Sequence, residues 1–252
     1  IYEKDDFYEL CDKNGIMLWH DFMFACSTYP DHLEWFRKES EYEMSHQLRR
    51  LRNHSCIVLW CGNNENHWIF NDIEHPGWGL RFSNNKQYGL YISNVLARRA
   101  VRENSPQTPY WNSSPYGGLT PNSSAEGDVH HWHEMMMNPD IGLRIEPREY
   151  DKIDSKFVSE YGYPGPCAYE SITEYFDNKP IEVSSRVWRL HTNTFEKDTV
   201  LAGINKHYLD SAEKLDLQDY ILYSGMVQSL MLEYSLDSIR SNTSCSGALF
   251  WM

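Results

Sequence analysis

The sequence carries two glutamates whose positions could support chemistry. Glu65 closes the apolar run Cys56-Ile-Val-Leu-Trp60 by way of Gly62-Asn63-Asn64. Glu160 follows a second strand candidate, Lys156 to Ser159, and precedes Tyr161-Gly162. A lone Glu at a strand end is commonly just a solvated side chain. Two of them, each directly after an apolar strand in an aromatic-rich chain, fit the paired-carboxylate chemistry of glycoside hydrolysis. One carboxylic acid protonates the leaving oxygen while the other attacks the anomeric carbon, so their surroundings must push the two pKa values apart. A retaining site of this kind holds its carboxyls about 5–5.5 Å apart, and an inverting one about 6.5–9.5 Å.

Other side chains could join such a site. His20 and Asp21 end an earlier strand, where either could bind a sugar hydroxyl or tie down a neighbouring loop. His130, His131, Trp132 and His133 suggest a metal at first sight. Alternation along a strand sends neighbours to opposite faces, so they cannot converge on one ion. Trp132 with one of the histidines lining a pocket is the better reading, and no metal or cofactor is implied. Trp251 could form part of a sugar platform on the last strand, with core packing as the alternative. Tyr161 should leave its strand on the face opposite Glu160. The Met135-Met-Met137 run reads as gap-filling or loop.

The elements that would position these residues alternate between helices and short apolar strands, the pattern of parallel βα units. Asp5 to Asn14 reads as a helix with Phe7, Leu10 and Cys11 on one face and Gly15 as its left-handed cap. Gly15-Ile-Met-Leu-Trp19 then reads as a strand buried on both faces. Pro30-Asp31 opens a long helix carrying Met44, Leu48 and Leu51, and Arg49, Arg50 and Arg52 complement its C-terminal dipole. A helix is expected around Gln87 to Glu103 and another over Leu217 to Arg240. Further strands are expected at Thr108 to Trp111, Asp128 to Trp132, Lys156 to Ser159 and Gly247 to Met252. Ser113 to Gly127 reads as a long loop at the strand-exit face. No repeat or domain boundary interrupts the chain, and residues 180 to 215 give the weakest signal.

Composition sets outer limits. A chain of 252 residues suits one large domain, since α/β barrels commonly run about 250 residues. A net charge of -13 argues against a nucleic-acid partner and against an anionic membrane surface. The longest apolar run, Cys56 to Cys61, is too short to span a bilayer. Nine Trp and 17 Tyr could supply flat faces for sugar rings or could simply fill a core. Cys11, Cys26, Cys56, Cys61, Cys167 and Cys245 contain no CxxC pair, and Cys56 and Cys61 read as small buried hydrophobes. Sequons begin at Asn53, Asn112, Asn122 and Asn242; the first abuts a buried strand and reads as chance. The compartment is left open.

Long ordered motifs carry a resemblance. Phe7-Tyr-Glu-Leu-Cys-Asp-Lys-Asn-Gly-Ile-Met-Leu-Trp-His-Asp-Phe-Met-Phe-Ala-Cys-Ser-Thr-Tyr-Pro30 resembles the β-mannosidases of glycoside hydrolase family 2, as does Leu51-Arg-Asn-His-Ser-Cys-Ile-Val-Leu-Trp-Cys-Gly-Asn-Asn-Glu-Asn66. Gly127-Asp-Val-His-His-Trp132, Phe157-Val-Ser-Glu-Tyr-Gly162 and Gly247-Ala-Leu-Phe-Trp251 continue in family order. The resemblance implies a (β/α)8 TIM-barrel catalytic domain over residues 1–252 and a retaining two-glutamate mechanism without a cofactor. It gives Glu65 the acid/base role, Glu160 that of nucleophile, and Asn64 contact with the sugar 2-hydroxyl. Where the family often carries a sugar-holding Trp, this sequence has Ile73, for which Trp68 or Trp78 could substitute. After Gly162 it has Tyr163-Pro-Gly-Pro166, where many relatives carry a Gln.

The implied substrate is a terminal β-mannoside of an oligosaccharide or glycoside. Related β-glucosaminidase, β-galactosidase and β-glucuronidase activities are the alternatives, and a carbohydrate-binding protein without catalysis is the rival of another class. Only six strands are counted where a closed barrel needs eight. The resemblance accounts for this by two further strands before Ile1 and β-sandwich domains upstream, so strands 3–8 of an incomplete barrel are expected. Such a segment should expose unpaired strand edges and apolar surface.

Overall fold

In a computed structural model, residues 1–71, 89–133, 135–183, 185–192 and 196–251 are described. Two compact units, Ile1–Val129 and His130–Met252, divide the chain. Both mix helices with short strands, as an α/β segment does.

The first unit begins with helix α1 (Asp5–Asn14), whose first turn carries Asp5 and Asp6 and whose C-cap is Gly15 at φ 67, ψ 30. The left-handed cap stands where the sequence places it. The buried face differs: Tyr8 and Cys11 pack inward, while Phe7 and Leu10 are exposed. Tyr8 is drawn inward because its hydroxyl meets the His20 imidazole at 2.7 Å. Strand β1 covers Leu18–Asp21, later than the apolar run suggests, and Ile16 and Met17 are 52% and 75% exposed. Among the described residues β1 is an end strand paired with β2, and Ile16 and Met17 precede the paired segment.

Helix α2 (Glu34–Leu51) starts after the expected Pro30-Asp31. Asp31 caps another segment: its Oδ2 accepts the peptide N–H groups of Gly89 at 2.7 Å and Tyr91 at 3.1 Å. Strand β2 (Ile57–Cys61) runs parallel to β1, and helix α3 (Asn66–Asn71) follows the Glu65 turn. The helix expected around Gln87 contains a π-helical stretch, Ile92–Ala97, before α4 (Arg98–Asn104). Gln87, Ile73 and Trp78 lie outside the described residues. Strand β3 is only Tyr110–Trp111, parallel to β2, so the sheet order is β1-β2-β3.

The core between this sheet and its helices holds Tyr8, Phe22, Met44, Leu48, Leu51, Trp60, Ile92, Leu96 and Val101. Full burial of each such side chain stabilises by about 1.5–3 kcal/mol. Cys56 and Cys61 are buried, as read from the sequence. Ser113 to Gly127 forms no regular element, with bridges pairing Asn64 with Ser114 and Tyr116 with Asp128.

The second sheet has the order β4-β5-β6: β4 is Val129–His130, β5 is Val158–Tyr161 and β6 is Ala248–Phe250, parallel to β5. All three strands are shorter than, or offset from, their expected spans, and Met252 lies outside the described residues. Between them come α5 (Ile141–Arg144), a 3-10 turn at Pro147–Lys152, α6 (Tyr169–Tyr175), α7 (Arg186–His191) and α8 (Glu196–His207). Residues 180 to 215 are thus mainly helical. Helix α9 (Leu217–Ser241) is capped by Asp216, whose side chain accepts the Asp219 N–H. Its buried stripe of Tyr220, Ser224, Val227, Met231, Ser235 and Ile239 recurs every three or four residues. Among the described residues, no helix is long and apolar enough to cross a membrane.

Candidate active site

Past β2 the chain turns through residues 62–65 into α3. Gly62 starts the turn, because a Cβ there would stand 2.3 Å from both the Asn112 carbonyl oxygen and the Tyr110 hydroxyl. Asn63 is fully buried, its Oδ1 accepting the Asn66 N–H at 3.1 Å and the Ser113 hydroxyl at 2.6 Å. That pairing satisfies the first turn of α3. Glu65 then adopts φ 62, a left-handed conformation that costs a non-glycine residue of order 1–3 kcal/mol. Its peptide N–H donates to the Ser114 carbonyl at 2.6 Å, holding the turn against that cost.

Asn64 is stitched in from both sides. Its N–H donates to the Phe24 carbonyl at 2.9 Å, and its carbonyl accepts the Cys26 N–H at 3.0 Å. The side chains continue the link: Asn64 Nδ2 donates to Cys26 Sγ at 3.4 Å, and the thiol donates to Glu65 Oε2 at 3.1 Å. The Ser114 loop is anchored from below by the buried Asp128. That carboxylate accepts the Trp111 indole N–H at 2.7 Å, the Ser114 hydroxyl at 2.8 Å and the Tyr116 N–H at 3.0 Å. His67, beyond Glu65, meets Asn94 of the π-helical stretch at 2.9 Å, and burial lowers its pKa.

His20 and Asp21 separate, as neighbours on a strand must. His20 packs with the rings of Tyr2, Tyr8 and Trp60, and burial pulls its imidazole down to about 4. That is a structural hydrogen-bonding position rather than an open sugar-binding one. Asp21 is half-buried, and its Oδ1 accepts the Trp19 indole N–H at 2.8 Å. Trp68, expected as a sugar-holding ring, is 4% exposed within α3, so it offers no open stacking face.

In the second unit Glu160 is half-buried on β5. Its Oε1 accepts the Trp132 indole N–H at 2.9 Å, and its Oε2 lies 3.8 Å from His130 Nδ1. His131 turns instead toward the Tyr150 ring, and its N–H donates to the Glu160 carbonyl at 2.8 Å. Tyr161 faces away into the core, where its hydroxyl accepts from Ser235 at 3.2 Å. Trp251 follows β6, 62% exposed, its ring set edge-to-face on Trp132 with centroids 5.9 Å apart. The expected residues therefore gather as Asn64 with Glu65 in one unit, and as Glu160 with Trp132 and Trp251 in the other. Cys26, Asn63 and Asp128 are neighbours that sequence reasoning passed over. Their signal was weak, although Asp128 and Cys26 both lie in the motifs that carry the resemblance.

No protein-family model matches the sequence. The beta-mannosidase of Capra hircus is 40% identical over 280 residues, and beta-mannosidase B of Neosartorya fischeri is 30% identical over 269. Both alignments cover the whole of this chain and 30% of the relative. The crystal structure of a beta-D-mannosidase from Dictyoglomus thermophilum matches with a TM-score of 0.84 and 37% identity, over all of this chain and 30% of that one. The chain thus spans about 30% of the length of the curated relatives it matches. Agreement along the whole of this chain, in sequence and in fold, with a segment of proteins of one kind makes it a β-mannosidase-like domain of glycoside hydrolase family 2.

Proposed function

We propose that the chain is the greater part of a (β/α)8-barrel catalytic domain of a retaining exo-β-mannosidase. Glu65 is the acid/base, Glu160 the nucleophile, and Asn64 the donor to the sugar 2-hydroxyl, a contact that strengthens as the oxocarbenium-like state forms. Asp21, Trp132 and Trp251 are the remaining candidates for contact with the sugar. The observation that carries the reading is the placing of both glutamates at the carboxyl ends of strands in parallel sheets, where α/β barrels build their active sites. Each carboxylate also accepts a side-chain donor, from Cys26 in one case and from Trp132 in the other.

The relatives' greater length fits a larger parent protein, for which the family resemblance implies two further strands and upstream β-sandwich domains. Exposed apolar side chains near the first and last strands in sequence fit that reading. Ile16 and Met17 precede β1, and Leu249 and Phe250 lie on β6. Such edges are ready to pair with more chain.

A panel of nitrophenyl glycosides on the full-length protein tests the sugar, and β-mannoside should be cleaved with retained configuration. Glu160→Gln should abolish turnover and any covalent glycosyl-enzyme. Glu65→Ala should spare substrates with very good leaving groups, which need no proton, and azide should restore it with a β-glycosyl azide as product. An α-azide product, or equal loss for every leaving group, refutes the assignment. Preference for a β-glucosaminide, β-galactoside or β-glucuronide would keep the mechanism and change the substrate.

A further inference from the structure

The reaction assigned above uses Glu65 and Asn64 but leaves Cys26 unexplained. Its thiol stands between them, 3.4 Å from the Asn64 amide and 3.1 Å from Glu65 Oε2. This placement is not a chance rotamer on a loose loop. Ala25 bridges to Asn64, the Cys26 N–H donates to the Asn64 carbonyl, and the Ser27 N–H donates to Asn66 Oδ1 at 3.2 Å. The segment on either side of Cys26 is therefore sewn to the Asn64–Asn66 turn. Cys26 itself is held at φ 45, which for a side chain other than glycine persists only when the surroundings enforce it.

We propose that Cys26 is a positioning residue for the acid/base. Its S–H donates to the Glu65 carboxylate while its sulfur accepts from Asn64, so one thiol sets the direction of both side chains that meet the substrate. This rests on the reading of Glu65 as acid/base. A donor to a carboxylate favours the ionised form, so removing the thiol is expected to make Glu65 easier to protonate. Glu65 must be protonated to assist the leaving group, and the basic limb of the kcat/KM profile reports that proton.

The test uses the full-length protein and two thiol-free variants. Cys26→Ala removes the donor and keeps a Cβ, while Cys26→Gly removes it and suits the left-handed backbone. Cys26→Ser restores a hydroxyl donor. The expected result is a basic limb moved to higher pH in the Ala and Gly variants and returned toward its original position in Ser. Both should lose roughly tenfold in kcat/KM on substrates with poor leaving groups, the scale of one lost charge-assisted hydrogen bond, and much less on good ones. A role in packing alone would lower Tm without moving the limb. If Cys26→Ala fails to fold, Cys26→Gly gives the same readout. An unmoved limb with equal loss across leaving groups overturns the proposal, provided Glu65→Ala keeps its selectivity and its azide rescue. Loss of that selectivity in Glu65→Ala would instead overturn the acid/base reading and this inference together.

Discussion

Replacing Asp128 by Ala should remove the anchor beneath the Glu65 turn. The carboxylate is 2% exposed and accepts hydrogen bonds from the Trp111 indole, the Ser114 hydroxyl and the Tyr116 peptide N–H, among others. Hydrogen bonds to a charged group contribute about 1.5–3 kcal/mol each, yet the variant also escapes the cost of burying a carboxylate. Three stranded donors set against that relief leave a net loss of about 3 kcal/mol, near the lower end for breaking a buried charged network. At about 2–4 °C per kcal/mol for a domain of this size, Tm should fall by roughly 6–12 °C. Asp128→Asn keeps the shape but turns an NH2 toward one of the donors, and should lose about half as much. Urea unfolding of the full-length protein, followed by tryptophan fluorescence, measures both. Because the Ser114 carbonyl accepts the Glu65 N–H, turnover should fall further than the folded fraction accounts for. Asp128→Ala within about 0.5 kcal/mol of wild type would refute the reasoning, since that is the scale of an unimportant surface change.

Two other outcomes follow from the same geometry. Gly162→Ala would place a Cβ 1.7 Å from the Trp251 carbonyl oxygen and 3.3 Å from the Trp132 ring, so β6 must move away; Trp fluorescence and loss of turnover should report the displacement, and an unaltered spectrum with full activity would contradict it. His20 is held neutral by burial, with its pKa lowered from 6.5 to about 4. The unfolded chain therefore takes up a proton first as pH falls. The stability that His20 contributes is complete above about 6.5 and is lost progressively down to about 4. Denaturant midpoints measured across that window should slope less in His20→Phe than in wild type, and parallel slopes would show that His20 is not the titrating group.

What the sequence determined by itself was local and periodic. Asp5 to Asn14 announced a helix because Gly15 could end it in a conformation other residues adopt only under strain. The long helix expected over Leu217 to Arg240 is observed as α9, where Asp216 caps it and its buried residues recur at helical spacing. Glu65 and Glu160 could be singled out because each follows an apolar strand, and the length and order of the motifs around them pointed to a family. Strand ends were less legible: β3 and β4 are two residues each, since pairing depends on a neighbour that no single strand encodes. Asp31 shows the same limit, for it reads as a helix opener until tertiary structure brings Gly89 and Tyr91 to its carboxylate.

Only the tertiary structure decided which of these side chains are packed into the core and which are left more open. His20 and Asp21 are adjacent in sequence, but the strand turns one into the aromatic core and leaves the other on the opposite face. Cys26 and Glu65 are far apart in sequence, and parallel pairing past the strand ends brings the thiol to the carboxylate. Periodicity records which face of an element is apolar. Hydrogen bonds between distant turns exist only once the sheet has brought those turns together.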